Sequence, residues 1–312
     1  MPISIYLTLL QDVISTNSSK TKSLAYLFLV LTTSAWGSLY VVSKYLMATI
    51  EPFTVLLARY LTSGIVLYIL YRKTNPQKIE RQDIKWILFI GVVGYFFSIG
   101  VQLVGTKLLS AGLASLLNAL NPIFMILFAM TFLNEKITVT KIISVAAAIL
   151  GVYIILGGGI KGGATLGVIA CLLSVVSWSL TSIYVKKVST KYEPLTITTY
   201  AILIAFVCTI PCSAFELVTG PKINILQPGI LLGLLYIGLV CTALTNVLWN
   251  KSLSMIEAGR CALFYPLQPM VAAILGCIFL GESIHLSFIL GAALILGGVI
   301  FSVAMDRKQV AT

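Results

Sequence analysis

Charge is scarce in this chain of 312 residues: 10% are Asp, Glu, Lys or Arg, only 10 residues are acidic, and His285 is the single histidine. Globular domains usually carry about 25% charged residues, and a fold of this length cannot cover a water-facing surface with so few. The shortage excludes a water-soluble enzyme. The six cysteines (Cys171, Cys208, Cys212, Cys241, Cys261, Cys277) form no Cys-x-x-Cys pair and all lie in apolar stretches, which leaves no disulfide framework or zinc site to read. There is no HExxH, no aspartate within an apolar run and no histidine placed for a nucleophilic dyad, so intramembrane proteolysis and lipid-modifying chemistry lack their residues. The stretch Gly100 to Lys107 superficially resembles a phosphate loop, but Thr106 precedes Lys107 where the loop needs the reverse order. The net charge of +11 comes from Lys and Arg scattered singly between apolar runs, without the basic stripe that nucleic acid requires. The expectation is therefore no enzyme, no metal, no cofactor and no nucleic-acid partner.

What is present is hydrophobic: 59% of residues, with a mean hydropathy of +1.02. A bilayer core needs about 20 apolar residues per helix, because irregular backbone facing lipid leaves its peptide groups unpaired. Ten such runs occur, at 24–43, 54–71, 86–105, 111–132, 140–157, 166–185, 196–216, 229–250, 259–280 and 286–305. The pattern predicts an all-α integral membrane protein of ten transmembrane helices. Residues 1–23 lack the basic start of a signal peptide and read as a cytoplasmic tail, where the Asn17 triplet carries no glycan. Residues 306–312 form a second tail. Lys and Arg are lopsided across the alternating connections: 16 fall on one side, four on the other (Lys44, Lys107, Lys161, Lys222), and Arg59 lies within the second run. Short cytoplasmic loops retain positive charge, so both termini are expected in the cytoplasm.

The runs repeat. An offset of 142 places Trp36 on Trp178, Lys44 on Lys186, Glu51-Pro52 on Glu193-Pro194 and Thr54 on Thr196. An offset of 147 then places Gly91 on Gly238, Ala111-Gly112 on Ala258-Gly259, Pro122 on Pro269, Glu135 on Glu282 and Gly151 on Gly298. Each half holds five runs, an odd number, so the second half enters the membrane from the opposite face. The expected organisation is one repeat over 24–157, a glycine-rich linker over 158–165 and a second repeat over 166–305. Inverted repeats exchange conformations about a central site, which is how carriers alternate access. A channel reading finds no ring-forming filter motif.

These residues resemble the drug/metabolite transporter superfamily in its ten-helix form built from two EamA domains. Trp36-Gly37, Lys44, Glu51-Pro52 and Arg59 carry the resemblance in the first half. In the second, Arg260, Tyr265, Pro266 and Pro269, then Leu280-Gly281-Glu282 and Gly291 to Gly298, resemble the last two helices of the family. Asn134-Glu135 departs from the usual Gly-Glu, and Ala201 stands at the repeat position of Arg59. The resemblance implies a transporter of small metabolites, often an exporter of amino acids or related compounds, in a bacterial plasma membrane. A carrier or flippase for sugar-nucleotide or lipid-linked cargo is the alternative within the superfamily, but such anionic cargo wants several cavity cations. The partners expected are thus a small-molecule substrate and the lipid bilayer, and a monomer is compatible with the sequence.

A substrate site is expected where polarity and helix breaks coincide near mid-bilayer. Asn118, Asn121 and Pro122 do so in the fourth run, and Tyr265, Pro266, Gln268 and Pro269 do so in the ninth. Either these amides face a ligand or they join helices, at about 0.6 kcal/mol each. By helical spacing Tyr95, Ser98 and Gln102 share one face of the third run, and Thr242, Thr245, Asn246 and Trp249 one face of the eighth. Trp36, Tyr40 and Trp178, with Tyr200 and Trp249, are deep enough to wall a cavity or simply fill the core. Arg59 sits about 9 Å inside its run, counted at about 1.5 Å per residue. There an unpaired charge costs about 2.5–3.5 kcal/mol. A substrate carboxylate, helix C-terminal carbonyls or snorkelling to the interface could compensate it. None of the acids is central, so facilitated or exchange transport is expected rather than proton antiport through a carboxylate.

Overall fold

A computed structural model describes residues 21–74, 77–133, 139–155, 164–220, 227–282, 285–294, 297–298 and 301. The tail with Asn17, the Asn134-Glu135 pair, most of the glycine-rich linker, Lys161, Lys222 and the C-terminal tail lie outside the described residues.

All regular structure among the described residues is helical, as a bilayer demands of a chain that must satisfy its own peptide groups. Eight helices are long and apolar enough to cross a membrane: α1 (Thr21–Leu46), α2 (Pro52–Lys73), α3 (Arg81–Leu108), α4 (Ala111–Leu133), α6 (Ala164–Val188), α7 (Pro194–Thr219), α8 (Pro228–Met255) and α9 (Ala258–Leu280). Between them α5 (Val139–Ile155) covers most of the predicted run 140–157, and α10, described over 286–294, begins the last one. Helix α6 starts at Ala164, inside the stretch expected to be linker.

Local chemistry sets the helix ends. Pro52, Pro194 and Pro228 each occupy the first turn of their helices, where a missing N–H costs nothing. Several hydroxyls within the spans bond back to the preceding turn, as Thr33 does to Leu29 O, Thr199 to Leu195 O and Ser252 to Leu248 O, which satisfies them without water. Charged side chains from other elements seal several ends. Lys44 donates to the carbonyls of Thr106, Lys107 and Leu109 at the end of α3, and Lys186 donates to Leu253 and Ile256 at the end of α8. Glu216 accepts from Phe53 and Thr54 N–H at the start of α2, and Glu282 accepts from Ala111 and Gly112 N–H at the start of α4. Each places its charge where the helix dipole favours it.

Four of the helices are irregular near their middles. Helix α3 is π-helical over Ile90–Ser98 and α8 over Leu239–Leu244. Helix α4 breaks between Ala111–Asn118 and Asn121–Leu133, and α9 between Ala258–Ala262 and Leu267–Leu280. Pro122 and Pro269 stand in the first turn of the second pieces, and Pro266, the last residue of the α9 break, is the cap. Proline here starts a half-helix, the position its ring tolerates.

Helix α1 packs on α8 and α9, α6 packs on α3 and α4, and α2 lies along α7. The pieces of the two broken helices cross, first against second, in both combinations. Glycine permits the closest approaches. A Cβ on Gly91 of α3 would lie 2.8 Å from Ile204 Cβ of α7, and one on Gly238 of α8 would overlap Thr62 of α2.

Candidate functional site

Helices α1, α2, α3, α4, α6, α8 and α9 meet, close to the irregular stretches, around a small cavity of about 30 Å³. Of the residues expected at a site, Trp36, Tyr40, Arg59, Gln102, Asn118, Trp178, Asn246, Tyr265 and Gln268 line it, with Ser98. They come from seven different helices, so no local run of sequence could have assembled them.

One wall is aromatic. Trp36 meets Trp178 edge-on at 5.8 Å between ring centroids, and it lies 5.3 Å from Trp249 and 6.2 Å from Tyr265. Trp178 Nε1 donates to Tyr265 Oη at 2.5 Å, and Trp36 Nε1 donates to Thr245 Oγ1 at 3.0 Å. The rings are thereby held in one orientation with their polar edges satisfied, the arrangement buried aromatics prefer. Tyr95 and Trp249 stand behind this wall: Tyr95 packs edge-on against Trp178 at 5.4 Å, and Trp249 against Tyr265 at 5.1 Å.

Another wall is amide and phenol. Gln102 Nε2 donates to Tyr40 Oη at 2.6 Å and to Asn118 Oδ1 at 3.3 Å. Asn121 sits one layer further out. Its Nδ2 donates to Asn118 O and Oδ1, its Oδ1 accepts from Ser179, and it does not line the cavity. Asn118 and Asn121 thus stitch the break of α4 to α6 with their polar atoms. Tyr200 lies elsewhere, paired with Tyr71 through their hydroxyls at 3.2 Å.

Among the described residues Arg59 is the only cation on the cavity lining, and it is 2% exposed. Snorkelling to the interface, one of the three compensations open to it, is therefore excluded. Its Nε donates to Thr242 Oγ1, and Thr242 in turn donates to Ile237 O five residues back, within the irregular stretch of α8. Its Nη1 has no partner. The same is true of Asn246 Oδ1, Gln268 Oε1 and Trp249 Nε1, all buried. For Asn246 the amide orientation is set, because Nδ2 donates to Thr242 O at 2.9 Å and leaves Oδ1 as the free atom. An unpartnered buried polar group costs about 1–3 kcal/mol. One donor, on Arg59, and two acceptors, on Asn246 and Gln268, left this way around one cavity suit a polar occupant. Among the described residues no carboxylate stands on the lining.

Sequence reasoning missed Leu39, Ile99 and Ser174 on the lining. Leu39 and Ile99 lie within a helical turn of Trp36 and Gln102, a spacing that marks them. Ser174, which bonds to Ser98 from α6, carries no such signal. The π-helical stretches were also unforeseen, though Thr242 donating five residues back lies inside one. Such stretches recur at functional sites.

Apolar helices interrupted around a polar and aromatic cavity are an architecture that membrane transporters use. The EamA-like transporter family matches residues 23–157 and again 165–304, and the chain belongs to that family. It is similar to an uncharacterized transporter of Archaeoglobus fulgidus, 24% identical over 275 residues that cover 88% of this chain and 96% of that one. It is also similar to the uncharacterized transporter YvbV of Bacillus subtilis, 27% identical over 300 residues, covering 92% and 94%. A crystal structure with 17% sequence identity shares the fold at a TM-score of 0.74, covering 92% of this chain and 99% of its own. The chain is an integral membrane protein and a transporter of this family.

Proposed function

We propose that this transporter is an alternating-access exporter of amino acids or related zwitterionic and neutral metabolites. The observation that carries the reading is the buried, half-satisfied guanidinium of Arg59 on a cavity without carboxylates. A substrate carboxylate would take the free Nη1 and compensate the buried charge, at a strength usual for charge-assisted bonds. Asn246 Oδ1 and Gln268 Oε1, on the same lining, can accept hydrogen bonds, which suits a substrate amine or amide. Sugar-nucleotide or lipid-linked cargo would bring more negative charge than one arginine offsets.

The reading takes the chain as ten spans in two inverted five-helix repeats, 24–157 and 166–305, with both tails in the cytoplasm of a bacterial plasma membrane. Several pairs of contacts support the repeat at the offsets of 142 and 147. Lys44 and Lys186 seal equivalent helix ends, Gly91 on Ile204 matches Gly238 on Thr62, and the irregular stretches coincide. The excess of Lys and Arg on one side supports the orientation. Rocking of such halves about the cavity would expose it to each face in turn. With neither carboxylate nor histidine on the lining, transport is facilitated or by exchange.

The test is metabolite profiling of medium and cytoplasm from cells expressing the intact chain, beside an Arg59→Lys/Gln268→Ala variant at matched membrane abundance. Accumulation of particular zwitterionic metabolites outside cells with the intact chain alone is the expected result. Saturable movement of sugar nucleotides, unaffected by amino acids, would overturn it.

A further inference from the structure

We propose a second binding site, for an anionic phospholipid, in the groove between α3 and α7 beside the α2–α3 connection. The groove has a volume of about 470 Å³ and opens outward. Lys78 stands on it, with Ile84, Leu88 and Ile204 among its apolar lining and Tyr200 beside them. Ile84 and Leu88 are 42% and 45% exposed on helices that cross a membrane, so acyl chains are their solvent. The groove shares no residue with the central cavity.

Charge selects the headgroup. Arg72, Lys73, Lys78 and Arg81 are all exposed and form no ion pair among the described residues. The two acids of the same connection are already engaged, because Glu80 and Asp83 both pair with Lys191 at 2.7 Å. Lys78 is thus left uncompensated on the apolar groove, with Arg72, Lys73 and Arg81 exposed nearby in the chain. A phosphate on Lys78 with a chain lying along Ile84, Leu88 and Ile204 satisfies both at once, and a lysine at this depth reaches headgroup level by snorkelling. A neutral phospholipid would leave the cations unpaired, and a free phosphate would leave the wall uncovered.

The purified full-length chain in neutral detergent is titrated with dioleoylphosphatidylglycerol, dioleoylphosphatidylcholine or glycerol phosphate, and retained molecules are counted by native mass spectrometry. Phosphatidylglycerol should be retained at least about fivefold more strongly than phosphatidylcholine, and glycerol phosphate should neither bind nor displace it. Each basic residue at a membrane surface contributes a factor of about five, so Lys78→Gln should weaken retention by that much. Leu88→Trp, which fills the groove from an exposed position, should abolish it with an unchanged melting temperature. Arg260→Gln, outside the groove, should leave it unchanged. Equal retention of the two lipids, displacement by glycerol phosphate, or full retention by both groove variants would overturn the proposal.

Discussion

Arg59 is buried on a cavity whose described lining holds no carboxylate, and its surroundings divide its nitrogens between two tasks. Nε is used structurally, on Thr242, while Nη1 is left over. Its neighbour Tyr60 donates to the carbonyl of Tyr95 in the irregular stretch of α3, so two consecutive residues of α2 touch both π-helical stretches. A lysine cannot replace this fork, because one ammonium on a flexible stem does not hold two partners in a fixed plane. Arg59→Lys should therefore lower transport about 10- to 100-fold, the worth of one charged hydrogen bond. Uptake or efflux assays at matched membrane abundance check this; unchanged kinetics would remove Arg59 from the substrate site.

At the scale of elements, close packing and loop charge make separate predictions. Gly91 of α3 and Gly238 of α8 sit against α7 and α2 with no room for a side chain. Gly91→Leu should force α3 off Ile204 and cost about 1–3 kcal/mol, as overpacking does. Thermal unfolding in detergent would read this as a lower midpoint, and an unchanged midpoint would contradict the contact. The α2–α3 connection responds to pH instead. The hydrogen bond from Lys191, with a second from Gln82, holds the Glu80 carboxyl below its ordinary value of 4.5. Hydrogen bonds first to Asp83 and then to Glu80 raise the Lys191 amine above 10.5. The carboxylate contribution is therefore present above pH 4.5 and lost as acid passes through the lowered value. The amine contribution is whole below pH 10.5 and lost as base passes through the raised one. Lys191→Met should flatten the acid limb of melting temperature against pH, most visibly at low salt because these groups are exposed. An acid limb as steep as in the unmodified chain would count against the pairing.

For the whole molecule, the absence of a titratable acid or histidine from the cavity lining bears on energetics. A proton-coupled carrier needs a group within the bilayer whose charge changes with access. In proteoliposomes a pH gradient alone should drive no uphill movement of substrate, whereas substrate on the far side should accelerate exchange. Accumulation against a concentration gradient on a proton gradient alone would reveal a coupling group that the lining does not contain.

Much of the architecture was legible because lipid leaves a chain few options. Apolar run lengths marked the eight long helices. Prolines at 122, 266 and 269 located the interruptions to within a few residues, because proline favours a first helical turn and disturbs an interior one. Single residues were harder to read. Asn118 and Asn121 look alike in sequence, yet one lines the cavity and the other spends its amide on Ser179 and α4. Arg59 had three possible compensations by composition alone, and burial at 2% removed one of them. Hydropathy and periodicity determine that a helix crosses the bilayer and roughly which face is polar. Which polar atoms are left unpaired depends on neighbours about 100 to 200 residues away in the chain, and only their packing in three dimensions decides that.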